Sequence, residues 1–480
     1  MSDHVTEHPE ATPAPTPTPA RIDRRLIDGA VAPTLVRFAA PLLATNMMLS
    51  ASGSWGSIWV SHVVGPDALT AMSNSWLFIM LMIGMVQGVG TTAGIAVAQA
   101  VGARDLDSAK RAAANALVFA LFSSLVVGGL GIAFAPQLLT AISLPPEALA
   151  AAVIYFQVTC LSLPGLFTLV FMMMLVRGTG DSRTPFIFTV SAIVIGMAAT
   201  PAFLIGLPGI PPMGIAGAAW SGVLANTAAA VALARYIYWK RLPLALWRQD
   251  LHHLKPDLGL IWMLIKRGTP VALETLVVQG AYFTLLAMVN VEGAATAAGY
   301  SAAAQLWAYV QMPAVALATS MSSMAAMNIG AGRWDRIDTI ALRGCLVAGV
   351  FTIVTTGLLY LLGDIPLRLF LPAGGEALVV ARSVNAIVLW GWVALAVTLG
   401  LNAMVRANGA MLAPTIIFAT TMWVLRVPFA TLLKPSLGVD AIWWSFPVGA
   451  VSSALLAYGY YRWGGWRRKG LLLARSPATA

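Results

Sequence analysis

LVRGTGDSRTP, residues 175–185, and MVRANGAMLAP, residues 404–414, stand 229 positions apart and place Arg177, Gly180 and Pro185 in register with Arg406, Gly409 and Pro414. The same offset carries Pro41 onto Pro270, Arg104 onto Arg333, and Glu147-Ala148-Leu149 onto Glu376-Ala377-Leu378. Near the end it shrinks to 224, where Gly214 and Trp220-Ser221 match Gly438 and Trp444-Ser445, as a five-residue difference in one loop would produce. Single matches would be chance. Proline, arginine and glycine held in one register through a half-chain are an internal duplication. Both copies are strongly apolar, and two homologous halves of an apolar chain point to a transporter with a substrate path between them.

Composition sets the solvent. Hydrophobic residues make up 59% of the 480 positions and charged residues 10%, against about 25% charged in a soluble domain. Such a chain needs lipid around it. Residues 1–25 differ: the run ATPAPTPTPA reads as an extended, disordered cytoplasmic tail. The first apolar run begins near Val31 and is long enough to span, without the short core and small-residue cleavage site of a secretory leader. Cys160 and Cys345 both lie in apolar segments and read as packing residues, with no disulfide framework or metal-ligand spacing.

A span needs about 20 apolar residues. Twelve candidates fit: 33–59, 72–98, 113–135, 149–175, 186–206 and 214–237, then 265–290, 299–327, 340–362, 377–404, 413–433 and 440–461. The fold class expected is an all-α integral membrane protein of two parallel six-helix repeats. The N-lobe covers 26–237, a cytoplasmic linker 238–258, the C-lobe 259–463, and a basic cytoplasmic tail 464–480. Orientation follows from the basic residues. Of the 29 Lys and Arg, 25 fall on the termini and the loops after even-numbered spans; the odd loops hold Arg368, Arg382 and Lys434, and Arg426 lies within a span. Both termini are therefore expected in the cytoplasm. The net charge of +10 is spread as topology signals and forms no nucleic-acid groove. Six spans per copy is an even number, so the copies enter from the same side and are related by an axis along the membrane normal.

Several stretches resemble the multidrug and toxic compound extrusion (MATE) family: LVRFAAP at 35–41 and LIKRGTP at 264–270, VVGPDALTA at 63–71, AQAVGARD at 98–105 and NIGAGRWD at 328–335, GIAGAAWS at 214–221 and LRVPFATLL at 425–433, besides the two opening motifs. The resemblance covers about residues 26–463 and rests on the order of the motifs and their recurrence in both halves. It implies a V-shaped pair of lobes, with substrate between them. It also implies multidrug efflux of amphipathic, often cationic compounds, coupled to inward flow of H+ or Na+ and with no other cofactor. The expected setting is the inner (plasma) membrane, with membrane lipid as the surrounding partner and a monomer as the working unit. One departure stands out. The family's first span often carries an aspartate; the matching stretch SGSWGSIWVSHVVG at 52–65 has Gly56 there.

An ionisable group inside the bilayer costs about 2.5–3.5 kcal/mol on insertion scales and needs a reason. Two stand well inside spans, Glu274 and Arg426. Glu274, four residues after Pro270, is the candidate cation-coupling residue: a carboxylate in a cleft can exchange a proton, or hold Na+ with nearby hydroxyls and carbonyls. Its bland reading is a pair with a basic residue such as Lys266. Its repeat mate is Thr45, so an acidic switch is expected in the C-lobe alone. Arg426, beside Pro428, reads as satisfying carbonyls freed by that proline or anchoring the lobe. Arg177, Arg406, Gly180 and Gly409 read as structural staples of the repeated loops. Asn46, Trp76, Gln87, Gln279, Tyr282, Gln305, Trp307, Gln311 and Asn402 are candidates for the substrate cavity, and each fits ordinary packing as well. The Gly84/Gly88 and Gly90/Gly94 pairs read as close helix packing. His252-His253, in the linker with no third ligand nearby, reads as a solvated loop.

Two other functions compete. A dedicated metabolite or lipid-precursor exporter or flippase would want several basic residues in its cavity, and only Arg426 lies within a span. An integral membrane enzyme would want acid pairs or His clusters near one face, which the spans lack.

Overall fold

A computed structural model describes residues 24–468 except 142–145, 207–208, 210 and 372–374. The Pro-rich tail through residue 23 and the basic tail beyond residue 468 lie outside the described residues. In the N-lobe, α1 is Val31–Val63, α2 Pro66–Gly102, α3 Leu106–Ala133, α4 the bent pair Pro146–Leu161 and Leu163–Gly178, α5 Arg183–Ile205 and α6 Ile215–Trp239. In the C-lobe, α7 is Leu258–Val291, α8 Ala294–Gly330, α9 Ile337–Leu362, α10 Glu376–Ala407, α11 Leu412–Leu437 and α12 Asp440–Trp463. By length and composition nine of the described helices can cross a membrane, ten with the two halves of α4 taken as one span. The other two, α1 and α8, have 33 and 37 residues, long enough to span, but their apolar runs are diluted by Ser, Thr, Gly and Asn.

The helices overrun their apolar limits because capping, not hydropathy, ends them. The Asp105 carboxylate accepts the Ser108 N–H at 2.9 Å and starts α3; Asp257 accepts the Leu260 N–H at 3.0 Å and starts α7. The added polar turns bring Asp67, Asp107 and Glu147 into terminal turns of N-lobe helices. α4 bends by 46° at Ser162, where Pro164 has no N–H to donate to a carbonyl of the preceding turn. α11 widens into a π-turn over Thr420–Arg426 just before Pro428.

The duplication recurs in the backbone. Gly180 and Gly409 have φ +91° and +76°, and Gly214 and Gly438 have φ +54° and +61°, left-handed conformations that favour glycine. Pro41 and Pro270 each sit inside the first helix of their lobe.

The lobes meet where α2 packs on α7 and α8, and α1 on α8 and α9. Small residues permit the approach. A Cβ on Gly102 would stand 2.0 Å from the Met327 carbonyl oxygen, one on Gly330 1.9 Å from that of Gln99, and one on Gly88 2.3 Å from that of Gly268. Gly84 still faces Thr275 at 3.5 Å. From Gly84 to Gly102 is about 27 Å of helix at 1.5 Å per residue, about half of α2. Gly90 and Gly94 pack instead on Met174 of α4, inside the N-lobe.

The closed end is laced by side chains. Asn328 donates to the Leu26 carbonyl at 2.9 Å, Gln99 to Ala407 at 2.7 Å and Asn408 to Trp466 at 2.7 Å. Arg336 donates to the carbonyls of Ile27 and Gly29. Residues 24–25, read as tail, thus begin a short helical turn, Arg25–Asp28, whose Leu26 and Ile27 are buried. At the other end, among the described residues, Arg368 and Arg382 pair with Asp364, and Lys434 with Glu292.

Candidate functional site

Glu274 lies one turn beyond Pro270 on α7 and is 13% exposed at its side chain. Its Oε1 accepts a hydrogen bond from an Arg406 Nη at 2.5 Å, and its Oε2 stands 3.5 Å from the Thr415 hydroxyl. The one proton of that hydroxyl goes to the Pro270 carbonyl at 2.7 Å. Three helices therefore converge on one carboxylate: α7 supplies it, the last turn of α10 supplies the guanidinium, and the first turn of α11 supplies the hydroxyl. The partner is Arg406, not Lys266, because α10 delivers its last turn to α7 while Lys266 is exposed on the outer side of a groove. Trp262, Lys266, Arg267, Pro270, Gly409 and Leu412 line that groove, of about 610 Å³. Arg267 bonds the Gly409 carbonyl at 3.0 Å, so the last turn of α10 and the loop after it are each tied to α7.

The N-lobe keeps the arginine and lacks the acid. Thr45, the mate of Glu274, bonds its own helix at the Pro41 carbonyl, 2.8 Å away. The Nε of Arg177, like that of its mate Arg406, has no hydrogen-bond partner among the described residues, but only Arg406 of the two has a carboxylate at its Nη. The repeat thus builds one ion pair where its symmetry provides two arginines.

A second polar element lies deep in the C-lobe. Arg426 is 6% exposed, its guanidinium 4.4 Å over the Phe446 ring and an Nη 3.7 Å from Met422 Sδ. It anchors the lobe by cation–π stacking rather than by capping carbonyls freed by Pro428. Around it, Trp392 and Phe446 are 5.0 Å apart, Tyr300 stacks on Trp443 at 5.7 Å, and Trp307 donates to Asn385 Oδ1 at 2.8 Å.

The family profile described as MatE matches residues 41–201 and 270–432, two segments that open on Pro41 and Pro270. The chain belongs to the MatE family. A probable multidrug resistance protein of Bacillus subtilis strain 168, YoeA, is 30% identical over 434 residues, which cover 90% of this chain and 93% of that one. A second from the same strain, YpnP, is 28% identical over 441 residues, covering 92% and 96%. Among solved structures, MATE in a bent conformation superposes with a TM-score of 0.83 at 20% identity, covering 91% of this chain and 96% of that one. An outward-facing multidrug resistance MATE family transporter of the MOP superfamily gives 0.82 at 20% identity, again covering 91% and 96%. The chain is a multi-pass membrane transporter of the MATE fold.

In this MATE transporter the cavity candidates divide by burial. Gln87, Gln279 and Gln305 are exposed, and Asn46, Tyr282 and Gln311 are half-buried. Gln87 comes three residues after Gly84 and so flanks the face of α2 that meets α7. Trp307 and Asn402 are buried, 3% and 2% exposed, and belong to the C-lobe core. Aromatic neighbours and the Asn385 bond claim Trp307, which a reading of residue type alone cannot detect. The side chain of Trp76 lies outside the described residues. The linker holds a further surprise: His253 is buried, and its Nε2 is 2.9 Å from Asp107 Oδ1, so a third potential ligand does stand beside the histidine pair.

Proposed function

We propose that this MATE transporter is a secondary active multidrug exporter that moves amphipathic, cationic compounds outward in exchange for H+ or Na+, with Glu274 as the coupling group. The carrying observation is the Glu274–Arg406–Thr415 junction, one carboxylate shared by three C-lobe helices with no acidic counterpart in the N-lobe. A cation that takes Glu274 competes with Arg406 for it. Loading releases the last turn of α10 and the loop to α11; unloading restores the ion pair. That exchange gives the C-lobe two discrete arrangements, the element an alternating-access cycle requires. The guanidinium 2.5 Å from Oε1 repels a metal cation at the same oxygen, which favours the proton as the exchanging ion. The names of the relatives, as probable multidrug resistance proteins, support the substrate class. On this reading the basic-residue split assigns the termini and the laced end to the cytoplasm, the laced end corresponds to an outward-facing conformation, and the working unit is a monomer of the inner membrane.

The test is ethidium efflux from proteoliposomes under separately imposed proton and sodium gradients, for wild type and Glu274→Gln. Efflux driven by one gradient and lost in the variant is expected, and the effective gradient names the ion. Wild-type efflux that survives the substitution removes Glu274 from the coupling path. No wild-type efflux under either gradient replaces multidrug export with a dedicated substrate.

A further inference from the structure

The linker and the start of α3 assemble a second cluster that transport leaves unused. We propose that Asp107, His252 and His253 form a binding site for one divalent first-row transition-metal ion, with Zn2+ the best match. One ligand atom from each residue lies within 4.8 Å of the others. The two imidazoles face each other with centroids 3.9 Å apart, and His253 Nε2 is 2.9 Å from Asp107 Oδ1. Bonds of about 2.0–2.2 Å to a tetrahedral ion put ligand atoms about 3.4 Å apart, close to the separations the cluster already holds.

The surroundings prepare the ligands. His252 Nδ1 is 2.8 Å from the Gln249 carbonyl. A carbonyl only accepts, so Nδ1 carries the proton and Nε2 keeps its lone pair, the usual outer-shell bond of a metal-binding histidine. The His253 main chain is held by Asn115, whose Nδ2 donates to its carbonyl at 3.3 Å and whose Oδ1 accepts the Asp257 N–H at 2.7 Å. Two cations lie close by on α3, and each is neutralised elsewhere: Lys110 by Asp250 at 2.7 Å, and Arg111 by Asp257. Asp107 is 60% exposed at its side chain against 5% for His253, which leaves an open approach and room for a water to complete the coordination. Two imidazoles and a carboxylate suit Zn2+ and its neighbours; Mg2+ and Ca2+ prefer oxygen ligands alone. An ion here would pin the turn Arg248–Leu254 to α3, just before Asp257 caps α7 and the C-lobe begins.

The experiment uses the full-length protein in detergent, freed of any affinity tag and stripped with chelator. It is titrated with ZnCl2 by calorimetry, and bound zinc is counted by mass spectrometry after desalting. One Zn2+ per chain is expected, with affinity reduced by about tenfold or more in His252→Gln and in Asp107→Asn, and no heat from MgCl2. His252 is exposed, so its variant keeps the fold and decides the matter even where a change at buried His253 does not. Fewer than one zinc per chain in the wild type, or equal affinity in His252→Gln, overturns the site.

Discussion

At the scale of single residues, rarity identified Glu274 and geometry supplied its partner. A carboxylate in an apolar helix is visible in any reading of the chain. Arg406, 132 positions away, is visible only as a repeated loop arginine until α10 delivers it to α7. The pair makes a quantitative prediction. Arg406→Ala leaves an unpaired carboxylate in a site where that side chain is 13% exposed, and breaking such a pair costs about 3–5 kcal/mol. Adding Glu274→Gln removes the stranded charge, so the double variant should recover much of that loss. Thermal unfolding of the two single variants and the double in detergent measures the coupling; strictly additive losses would mean that the two side chains do not interact. Arg426 shows the reverse case. Its place beside Pro428 suggested carbonyl capping, but its guanidinium lies over the Phe446 ring face, and its Nε has no hydrogen-bond partner among the described residues.

At the scale of elements, the apolar cores of the helices were legible and their ends were not. Capping by Asp105 and Asp257, the bend at Ser162 and the π-turn before Arg426 depend on a few polar atoms that a hydropathy window averages away. The linker is the clearest case. Read as a solvated break, it forms a turn fastened to α3, and the Lys110–Asp250 bond at 2.7 Å is its best buried clasp. Burial alone would push the Asp250 carboxyl up. The Lys110 hydrogen bond, the Trp247 N–H and the charges of Lys110 and His253 outweigh it and hold the carboxyl below its ordinary value of 3.8. A depressed carboxylate contributes stability that is complete above the unfolded value and disappears as pH falls through the folded one. Asp250→Asn should therefore cost about 2 kcal/mol at pH 7, and the gap from wild type should close in acid below the folded value. Unfolding curves at neutral and acid pH check this; a gap independent of pH would show that the carboxylate's charge is not what holds the linker.

At the scale of the whole molecule, the two lobes seal one end through glycines. A Cβ on Gly330 would sit 1.9 Å from the Gln99 carbonyl oxygen, a contact that no rotamer relieves. Gly330→Ala should force the lobes apart there, lower the rate of efflux, and increase labelling of a Gln99→Cys probe by an impermeant thiol reagent applied to that face. Unchanged labelling would show that the seal does not rest on this approach. The chain by itself determined the membrane class, the twelve apolar segments, the parallel duplication and the asymmetry of Glu274 against Thr45. These follow from composition, period and register, because lipid acts on each helix as a local solvent. Only the tertiary structure decided that Arg406 holds Glu274, that Trp307 and Asn402 are core, that Asp107 reaches His253, and which end is closed. Each of those depends on side chains from distant helices arriving at one point, and no local pattern specifies where two helices cross.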